Sequence, residues 1–201
     1  FDVGNVFTTF DKIFTRLCRE LKINKDVLDA VYEPYDIDAN LGKTSIPQVW
    51  QKICQELNIE NGHDYKIIES WISDYESIRP THLFIDQIKD KYQLGIISNY
   101  YLDYFSEATR QGFVPQVDFS PIIISAEVGV MKPDPKIYHL AQDKSGFFGS
   151  EILFIDDKSE NLDVPQQLGW QTFLFDYKNP QKSVDELSKI LLWCSPPTSL
   201  H

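Results

Sequence analysis

The sequence predicts an α/β protein with a doubly wound, mainly parallel sheet (a Rossmann-like core) and an inserted all-helical segment. Two observations lead to this fold class. Short, continuous apolar runs alternate with helical patterns through the second part of the chain, as is typical of parallel strands buried on both faces. A long stretch near the start shows only helical spacing. The 201 residues, with 42% hydrophobic content, suffice for one core and a smaller subdomain.

The helical stretch runs from Lys12 to about Ile78, where apolar residues recur at helical spacing. Within it, the residues from Ser45 to Gln48 predict the start of a helix. The serine is placed to cap it, a proline stands in the first turn, and the glutamine can reach back to the cap.

The alternating pattern begins after Pro80 and continues toward the end of the chain. Each apolar run in it is short and is flanked by a helical pattern, which favours βα units over separate helices and hairpins. The predicted strands are residues 94–97, 121–124, 152–155 and 172–175.

A further strand is expected at the start, where Phe1 and Asp2 resemble the end of a buried strand. The single methionine is Met131, so we expect the natural polypeptide to begin upstream of Phe1. We expect roughly five to ten further residues upstream, including an apolar run, since ordinary strands have about this length. The expected division is an α/β core of residues 1–10 and 80–201, and a helical subdomain of residues 11–79.

Composition argues against several classes of protein. A net charge of −11 and a pI near 4.7 disfavour a nucleic-acid binder, which needs clustered Lys and Arg. Three separated cysteines (Cys18, Cys54 and Cys194) lack the spacing of a disulfide framework or zinc site and favour a cytoplasmic protein. No apolar run approaches the roughly 20 residues of a membrane helix. Nothing in the sequence indicates an oligomeric state.

Polar residues follow each predicted strand, at the edge where parallel sheets bind their ligands. Taken singly, Asp2, Ser98 and Asn99 are also common turn residues. The adjacent pair Asp156 and Asp157 is harder to explain structurally, because like charges at a buried strand end repel each other without a cation. A hard divalent ion with oxygen ligands, Mg²⁺ by default, removes this conflict. Lys132 lies in a loop that leads to the same edge.

Four segments in order resemble the motifs of one family: "FDVGNVF", "LGIISN", "GVMKPDPKIY" and "ILFIDDKSENL". The chain resembles the haloacid dehalogenase (HAD) superfamily, in the phosphatase branch that has a helical cap inserted after the first motif. Each motif is weak alone, and their ordered set is specific. The resemblance covers nearly the whole chain and implies that the helical subdomain is the cap.

The resemblance also implies the roles of the site residues. Asp2 would be the nucleophile that forms an aspartyl-phosphate. Ser98, with Asn99 alongside, would bind the phosphoryl oxygens, and Lys132 would neutralise the phosphoryl charge and keep Asp2 ionised. Asn161 matches a polar position of the last motif. The implied Mg²⁺ ligands are Asp2, the carbonyl of Gly4, Asp156 and Asp157.

Gly4 departs from the common family pattern. Most phosphatases of the family have a second aspartate there, which protonates the leaving group and later activates water. Glycine keeps the carbonyl ligand but has no proton-transfer group. Some family members that act on sugar phosphates also read Asp-x-Gly. An aspartate introduced at Gly4 is expected to be restricted by backbone angles that glycine tolerates.

Three functions remain open from the sequence. The leading hypothesis is a Mg²⁺-dependent phosphomonoester hydrolase that acts on a small phosphorylated metabolite. A 2-haloacid dehalogenase would use the same Asp2 against carbon without a metal, although Asp156 and Asp157 would repel its carboxylate substrate. A catalytically degenerate binding module of the same fold is the third hypothesis.

Overall fold

The computed structural model describes residues 1–10, 12–60, 62 and 65–192. Helices and strands alternate over most of this part of the chain. The helices are α1 (Ile13–Leu21), α2 (Lys25–Asn40), α3 (Ile46–Glu56), α4 (Ile67–Ile72), α5 (Arg79–Ile88), α6 (Leu102–Arg110), α7 (Ser125–Val128), α8 (Pro135–Ser145), α9 (Asp163–Gln167) and α10 (Pro180–Leu192). The strands are β1 (Thr8–Thr9), β2 (Glu76–Ser77), β3 (Leu94–Ser98), β4 (Phe119–Ile124), β5 (Leu153–Asp156) and β6 (Gln171–Leu174).

The first two residues of the chain join two parallel strand pairs, β3 with β4 and β5 with β6. The nitrogen of Phe1 donates to Gly95 O at 3.0 Å, and Ile97 N donates to Phe1 O at 3.0 Å. A residue that forms hydrogen bonds with two residues two positions apart on a neighbouring strand runs parallel to that strand. Phe1 is therefore parallel to β3. On the other side, Asp2 N donates to Ile155 O at 2.9 Å. The strand order is therefore β4, β3, residues 1–2, β5 and β6.

Both faces of this sheet are covered, because neighbouring strand residues are buried on opposite sides. In β3, Ile96 belongs to one apolar cluster and Ile97 to another. The cluster around Ile96 includes residues of α5 and α10, whereas the cluster around Ile97 includes residues of α8. This arrangement confirms the predicted doubly wound α/β fold. It also explains why the strands read as continuous apolar runs.

Helices α1–α4 lie between the short strands β1 and β2, which pair antiparallel. The chain therefore leaves the sheet and returns to it at neighbouring points. The predicted start of α3 is confirmed as a capping box. Ser45 Oγ accepts from Gln48 N at 3.4 Å, and Ser45 N donates to Gln48 Oε1 at 3.0 Å. Both groups satisfy backbone donors that a helix start leaves free.

The end of the helical stretch differs from the prediction. The pattern predicts helix to about Ile78, whereas Glu76 and Ser77 form β2. These two residues pair with β1, and Ile78 N donates to Phe7 O at 2.8 Å. Backbone pairing between distant parts of the chain has determined their conformation here, and a local apolar pattern does not record such pairing.

Cys18 and Cys54 are free thiols, and Cys194 lies outside the described residues. The helices of the described residues include none that is both long and apolar enough to cross a membrane.

Candidate active site

The structure brings the predicted site residues together at the carboxyl edge of the sheet. Asp2 ends the central strand segment (residues 1–2), and Ser98 ends β3. Asp156 ends β5, and Asp157 follows it directly. Lys132 reaches the same place from the loop between α7 and α8. Asp2 is 8% exposed, Lys132 2% and Asp156 0%. Charged groups are almost never buried to this extent without partners.

The Asp2 carboxylate is held through one of its two oxygens. Ser98 Oγ donates to Asp2 Oδ1 at 2.6 Å, and Lys132 Nζ lies 3.0 Å from the same oxygen. Within the described part of the chain, Asp2 Oδ2 accepts no hydrogen bond. The carboxylate is therefore oriented by one oxygen, and the other is available to a ligand.

Lys132 is fixed both by its charge partners and by its backbone. Its Nζ donates to Asp156 Oδ2 at 2.5 Å. Its backbone N–H donates to Asn99 Oδ1 at 2.8 Å, and its carbonyl accepts from Asn99 Nδ2 at 2.9 Å. The nearby Asp134 caps α8, with Lys136 N donating to its Oδ1 at 2.9 Å. The side-chain amide of Asn99 thus uses both its ends on the Lys132 backbone.

Asp156 has partners on both oxygens. Besides Lys132 on Oδ2, its Oδ1 accepts from Lys158 N and from Asn161 Nδ2, each at 2.9 Å. The structure therefore places Asn161 at the site, behind the carboxylate. Asp156 is the principal counter-ion of the buried lysine, and its Oδ2 keeps a lone pair for a further ligand.

Asn5 is a site residue that the sequence reasoning missed. Its Nδ2 donates to Asp157 Oδ2 at 3.0 Å, across 152 positions of sequence. Its backbone has φ of 56°, in the left-handed region where Asn is among the few tolerated non-glycine residues. Its Oδ1 is buried and has no hydrogen-bond partner within the part of the chain that the structure describes. An asparagine that follows Gly4 in a tight turn beside the proposed nucleophile was the available signal.

The charges at this edge do not balance. Burial raises the pKa of the Asp2 carboxyl, opposed by Lys132 and reinforced by Asp156. Burial likewise raises the pKa of Asp157. For Lys132, burial would lower the pKa, but the carboxylates of Asp2 and Asp156 outweigh it and raise it. One ammonium thus faces three carboxylates.

This cluster fits a divalent cation. One oxygen from each of Asp2, Asp156 and Asp157 lies within 4.8 Å of the others. All are hard oxygen donors, which Mg²⁺ prefers. Asn5 binds Asp157 through its Nδ2. Its Oδ1 has no partner among the described residues and is an acceptor suited to a water on such an ion. The predicted divalent-metal site is therefore supported by the donor set.

The structure corrects the expectation about Gly4. Its φ lies outside the left-handed region, so its backbone angles do not exclude other residues. The restriction comes from Phe10 instead. A Cβ at Gly4 would lie 3.1 and 3.3 Å from two carbons of that ring, which is tighter than ordinary contact. A larger residue at Gly4 therefore requires the Phe10 side chain to move.

A cleft of about 640 Å³ opens beside this edge, with Asn99 and Lys158 on one side and α2 on the other. Asp36 lines this cleft, and its carboxylate accepts hydrogen bonds through one of its two oxygens. Asp36 Oδ1 accepts from the hydroxyls of Tyr32 and Tyr101 and from the side-chain amide of Asn40. The aromatic residues that line the cleft are Phe10, Phe14, Tyr32, Trp71, Tyr75, Tyr100 and Tyr101.

No protein-family model matches the chain. Among curated proteins, it is 27% identical over 132 residues to the D-ribitol-5-phosphate phosphatase of Bacteroides thetaiotaomicron, covering 61% of this chain and 62% of that one. It is 32% identical over 110 residues to the acyl-CoA dehydrogenase family member 10 of Mus musculus, covering 53% of this chain and 10% of the relative. The chain thus spans less than two thirds of either relative.

Solved structures share the fold over most of the chain. A predicted HAD-like family hydrolase from Porphyromonas gingivalis has a TM-score of 0.77 at 20% identity, covering 94% of this chain and 95% of that one. A HAD family enzyme from Bacteroides thetaiotaomicron, in complex with magnesium and inorganic phosphate, has 0.70 at 21%, covering 88% and 92%. A dehalogenase has 0.65 at 15%, covering 94% of each chain. The chain therefore has the same fold as these HAD-like enzymes, in agreement with the resemblance of its motifs to that superfamily.

Proposed function

We propose that the protein is a Mg²⁺-dependent phosphomonoester hydrolase that acts on a small phosphorylated metabolite through an aspartyl-phosphate. The observation that carries the proposal is the environment of Asp2. A buried carboxylate is held by Ser98 and Lys132 on one oxygen and has its second oxygen free, beside a cluster suited to a divalent cation. The D-ribitol-5-phosphate phosphatase and the magnesium–phosphate complex among the similar proteins support the same reaction class.

The reaction proceeds in two displacements. A carboxylate oxygen of Asp2 forms a bond to phosphorus as the bond from phosphorus to the ester oxygen breaks, and the alcohol leaves with that electron pair and takes a proton from solvent. Water then attacks the aspartyl-phosphate, which regenerates the carboxylate and releases inorganic phosphate. The Lys132 ammonium lies where negative charge gathers on the transferring group, and such fixed charge is usually the largest catalytic contribution.

Ser98 and Asn99 have different roles in this proposal. The Ser98 hydroxyl donates to Asp2 and can turn to a phosphoryl oxygen when the ester binds, because both acceptors lie at the same edge. Asn99 holds the backbone of Lys132 with both ends of its amide. We therefore assign Asn99 to positioning the lysine, with contact to the phosphoryl group only after those bonds rearrange.

Asp2, the carbonyl of Gly4, Asp156 and Asp157 would hold the metal ion. When bound, the ion would neutralise charge on the phosphoryl oxygens and bring them close to Asp2. Asp157 is the strongest candidate ligand of the last motif, since Asp156 already pairs with Lys132. Asp157 depends on the ion more than Asp156 does. Burial and the neighbouring carboxylates of Asp2 and Asp156 raise the pKa of Asp157 and so disfavour its charged form.

Residues 11–79 act as a cap over the core of residues 1–10 and 80–201 in this proposal. The cleft between α2 and the loop after β3 receives the leaving group, since it opens beside Asn99 and Lys158. Its aromatic walls suit an uncharged leaving group. Asp36 Oδ2, which has no hydrogen-bond partner among the described residues, suits a hydroxyl donor on that group.

A 2-haloacid dehalogenase is the second candidate. The observations that favour it are Gly4, which provides no side-chain acid two positions after Asp2, and the structural likeness to dehalogenases. The three clustered carboxylates oppose it, because they would repel the carboxylate of a haloacid.

Metal dependence separates the two functions. Purified protein is stripped of metal, and its activity is measured on 4-nitrophenyl phosphate, a panel of sugar and polyol phosphates, and 2-haloacids, with Mg²⁺ or EDTA. We expect phosphate release that needs Mg²⁺ and ceases with EDTA. Halide release that survives EDTA would establish the dehalogenase instead. If neither product forms and aluminium fluoride does not bind in the presence of Mg²⁺, the protein is a catalytically degenerate binding module, because a competent site should bind this phosphoryl mimic with Mg²⁺.

A further inference from the structure

We propose that Asn5 is a positioning residue of the metal site, which orients Asp157 and accepts a hydrogen bond from a water on the ion. This inference rests on the proposed function, because it concerns the same divalent-metal site. Its starting point is the bond from Asn5 Nδ2 to Asp157 Oδ2 at 3.0 Å. This bond uses one lone pair of Oδ2, so the other oxygen of Asp157 keeps both of its lone pairs for the ion.

The backbone conformation at Asn5 indicates that its side chain is not needed to form the turn. The residue has φ of 56°, and its N–H donates to Thr8 O at 2.7 Å. Glycine would adopt this conformation without steric strain. What asparagine adds to the backbone requirement is therefore its amide, and that amide is directed to Asp157.

The second end of the amide also points to a ligand. Asn5 Oδ1 is buried and has no hydrogen-bond partner among the described residues. Buried acceptors usually have a partner, because leaving one unpaired is destabilising. Asp157, which the same amide binds, belongs to a cluster of three carboxylates, in which Lys132 pairs with Asp2 and Asp156. A divalent cation there keeps several waters, and such a water is a strong donor for Oδ1.

A neutral amide suits this role better than a charged side chain. It donates to Asp157 without cancelling the negative charge that attracts the ion, whereas a lysine would replace the ion. It also adds no further repulsion, whereas a carboxylate would increase the crowding between Asp156 and Asp157. Partners that orient metal ligands in this way typically change metal affinity by about 10–100-fold when they are removed.

The test compares two glycine substitutions at matched backbone positions. Asn5→Gly removes the amide and keeps the left-handed turn. Asn58→Gly does the same at φ of 51°, between α3 and α4. Mg²⁺ affinity is measured by calorimetry without substrate, and the unfolding midpoint is recorded with and without Mg²⁺. We expect Asn5→Gly to weaken Mg²⁺ binding about 10-fold or more, and Asn58→Gly to leave it unchanged.

Kinetics provide an independent readout. Asn5→Gly should raise the Mg²⁺ concentration that gives half-maximal activity, while kcat at saturating Mg²⁺ stays within a few-fold of the unmodified enzyme. Equal Mg²⁺ affinity in all three proteins would overturn the role of Asn5 and leave the proposed function intact. A protein that binds Mg²⁺ but hydrolyses no phosphate ester would refute the proposed function, and the calorimetric comparison would still decide on Asn5. Absence of any Mg²⁺ binding in the unmodified protein would refute both.

Discussion

The buried carboxylate Asp156 and the partly buried carboxylate Asp36 each accept three hydrogen bonds but differ in their electrostatic settings. Asp156 is bound by an ammonium, a backbone N–H and an amide. Asp36 is bound by two hydroxyls and an amide, with no cation among its hydrogen-bond partners in the described chain. The sheet edge is therefore built around charge pairing, whereas Asp36 in the cleft is held by neutral donors. Under the proposed function, this difference would separate phosphoryl chemistry from leaving-group recognition.

Asp2→Asn should give the largest effect. Asparagine nearly matches aspartate in shape and keeps an acceptor for Ser98, but it is not an anionic nucleophile. We expect kcat to fall by roughly 10⁴-fold or more, as for other residues that act directly on the reacting atom. Mg²⁺-dependent binding of inorganic phosphate should be largely retained. Substantial activity in protein shown by mass spectrometry to be free of deamidation would contradict a covalent mechanism.

The next largest effect concerns the missing acid at Gly4. Without general acid help, which is typically worth about 10²–10⁴-fold, the first displacement should depend steeply on leaving-group basicity. Aryl and anomeric sugar phosphates should exceed primary alkyl phosphates in kcat/KM, the ratio that reports the first irreversible step. Gly4→Asp should flatten this series. Because Phe10 would contact the new side chain, the double variant with Phe10→Ala is measured beside it.

A flat leaving-group series in the unmodified enzyme would show that another acid serves the leaving group. The tyrosines of the cleft are poor candidates, because burial raises the pKa of Tyr32 and of Tyr101 well above the ordinary value.

Lys132→Met tests the charge pairing of the sheet edge. Removing one partner of a buried ion pair typically costs about 3–5 kcal/mol, since the remaining charges stay buried without compensation. We expect a loss of this size in urea denaturation, with kcat/KM lowered about 10²–10³-fold. Lys12→Met is the matched control, because its pair with Glu76 is exposed. It should leave the denaturation midpoint and activity unchanged, and equal effects of both variants would contradict the assigned difference.

Asp36→Asn tests the cleft. Asparagine can still accept from the two tyrosines, but the free carboxylate oxygen is replaced by an amide group. Losing a hydrogen bond to a charged group should raise KM about 10-fold for sugar or polyol phosphates. KM for 4-nitrophenyl phosphate, which offers no hydroxyl, should not change. Asp38→Asn on the same helix removes an exposed pair with Lys43 and serves as the control. Equal changes for both substrates would indicate that Asp36 is structural.

Ser45→Ala should have the smallest effect on activity. It removes the cap of α3 and should lower the free energy of unfolding by about 0.5–2 kcal/mol. Because α3 contributes no residue to the cleft lining or the sheet edge, kcat/KM should stay the same for every substrate. A selective loss for sugar phosphates would show that the helical segment transmits its stability to the cleft.

Features that depend on neighbouring residues could be predicted from the sequence. A few neighbouring positions of the sequence are enough to indicate the apolar runs of β3 and β5, the capping box at Ser45 and the cap at Asp134. The site residues at the strand ends could also be placed, because parallel strands deliver their ends to one edge.

Features that depend on distant pairing could not be predicted. The strands β1 and β2 have only two residues each, too few for a periodic pattern. The contact between Asn5 and Asp157 joins the loops after two neighbouring strands that lie far apart in sequence, and no local rule connects them. Helical spacing places Asp36 on α2, but it does not tell which acidic residue of that helix accepts a hydrogen bond from Tyr101, which precedes α6.

The amide of Asn99 has a consequence for the barrier of the reaction. Both its ends hold the backbone of Lys132, so the ammonium is in position before any ester arrives. In water, dipoles must turn as charge develops on a phosphoryl group, and that reorganisation energy is part of the barrier. In the proposed reaction, the responding charge is already oriented by the folded chain, so this energy would contribute less to the barrier. The crowded carboxylates around the lysine would lower stability in return, so the proposed active site would exchange stability for rate.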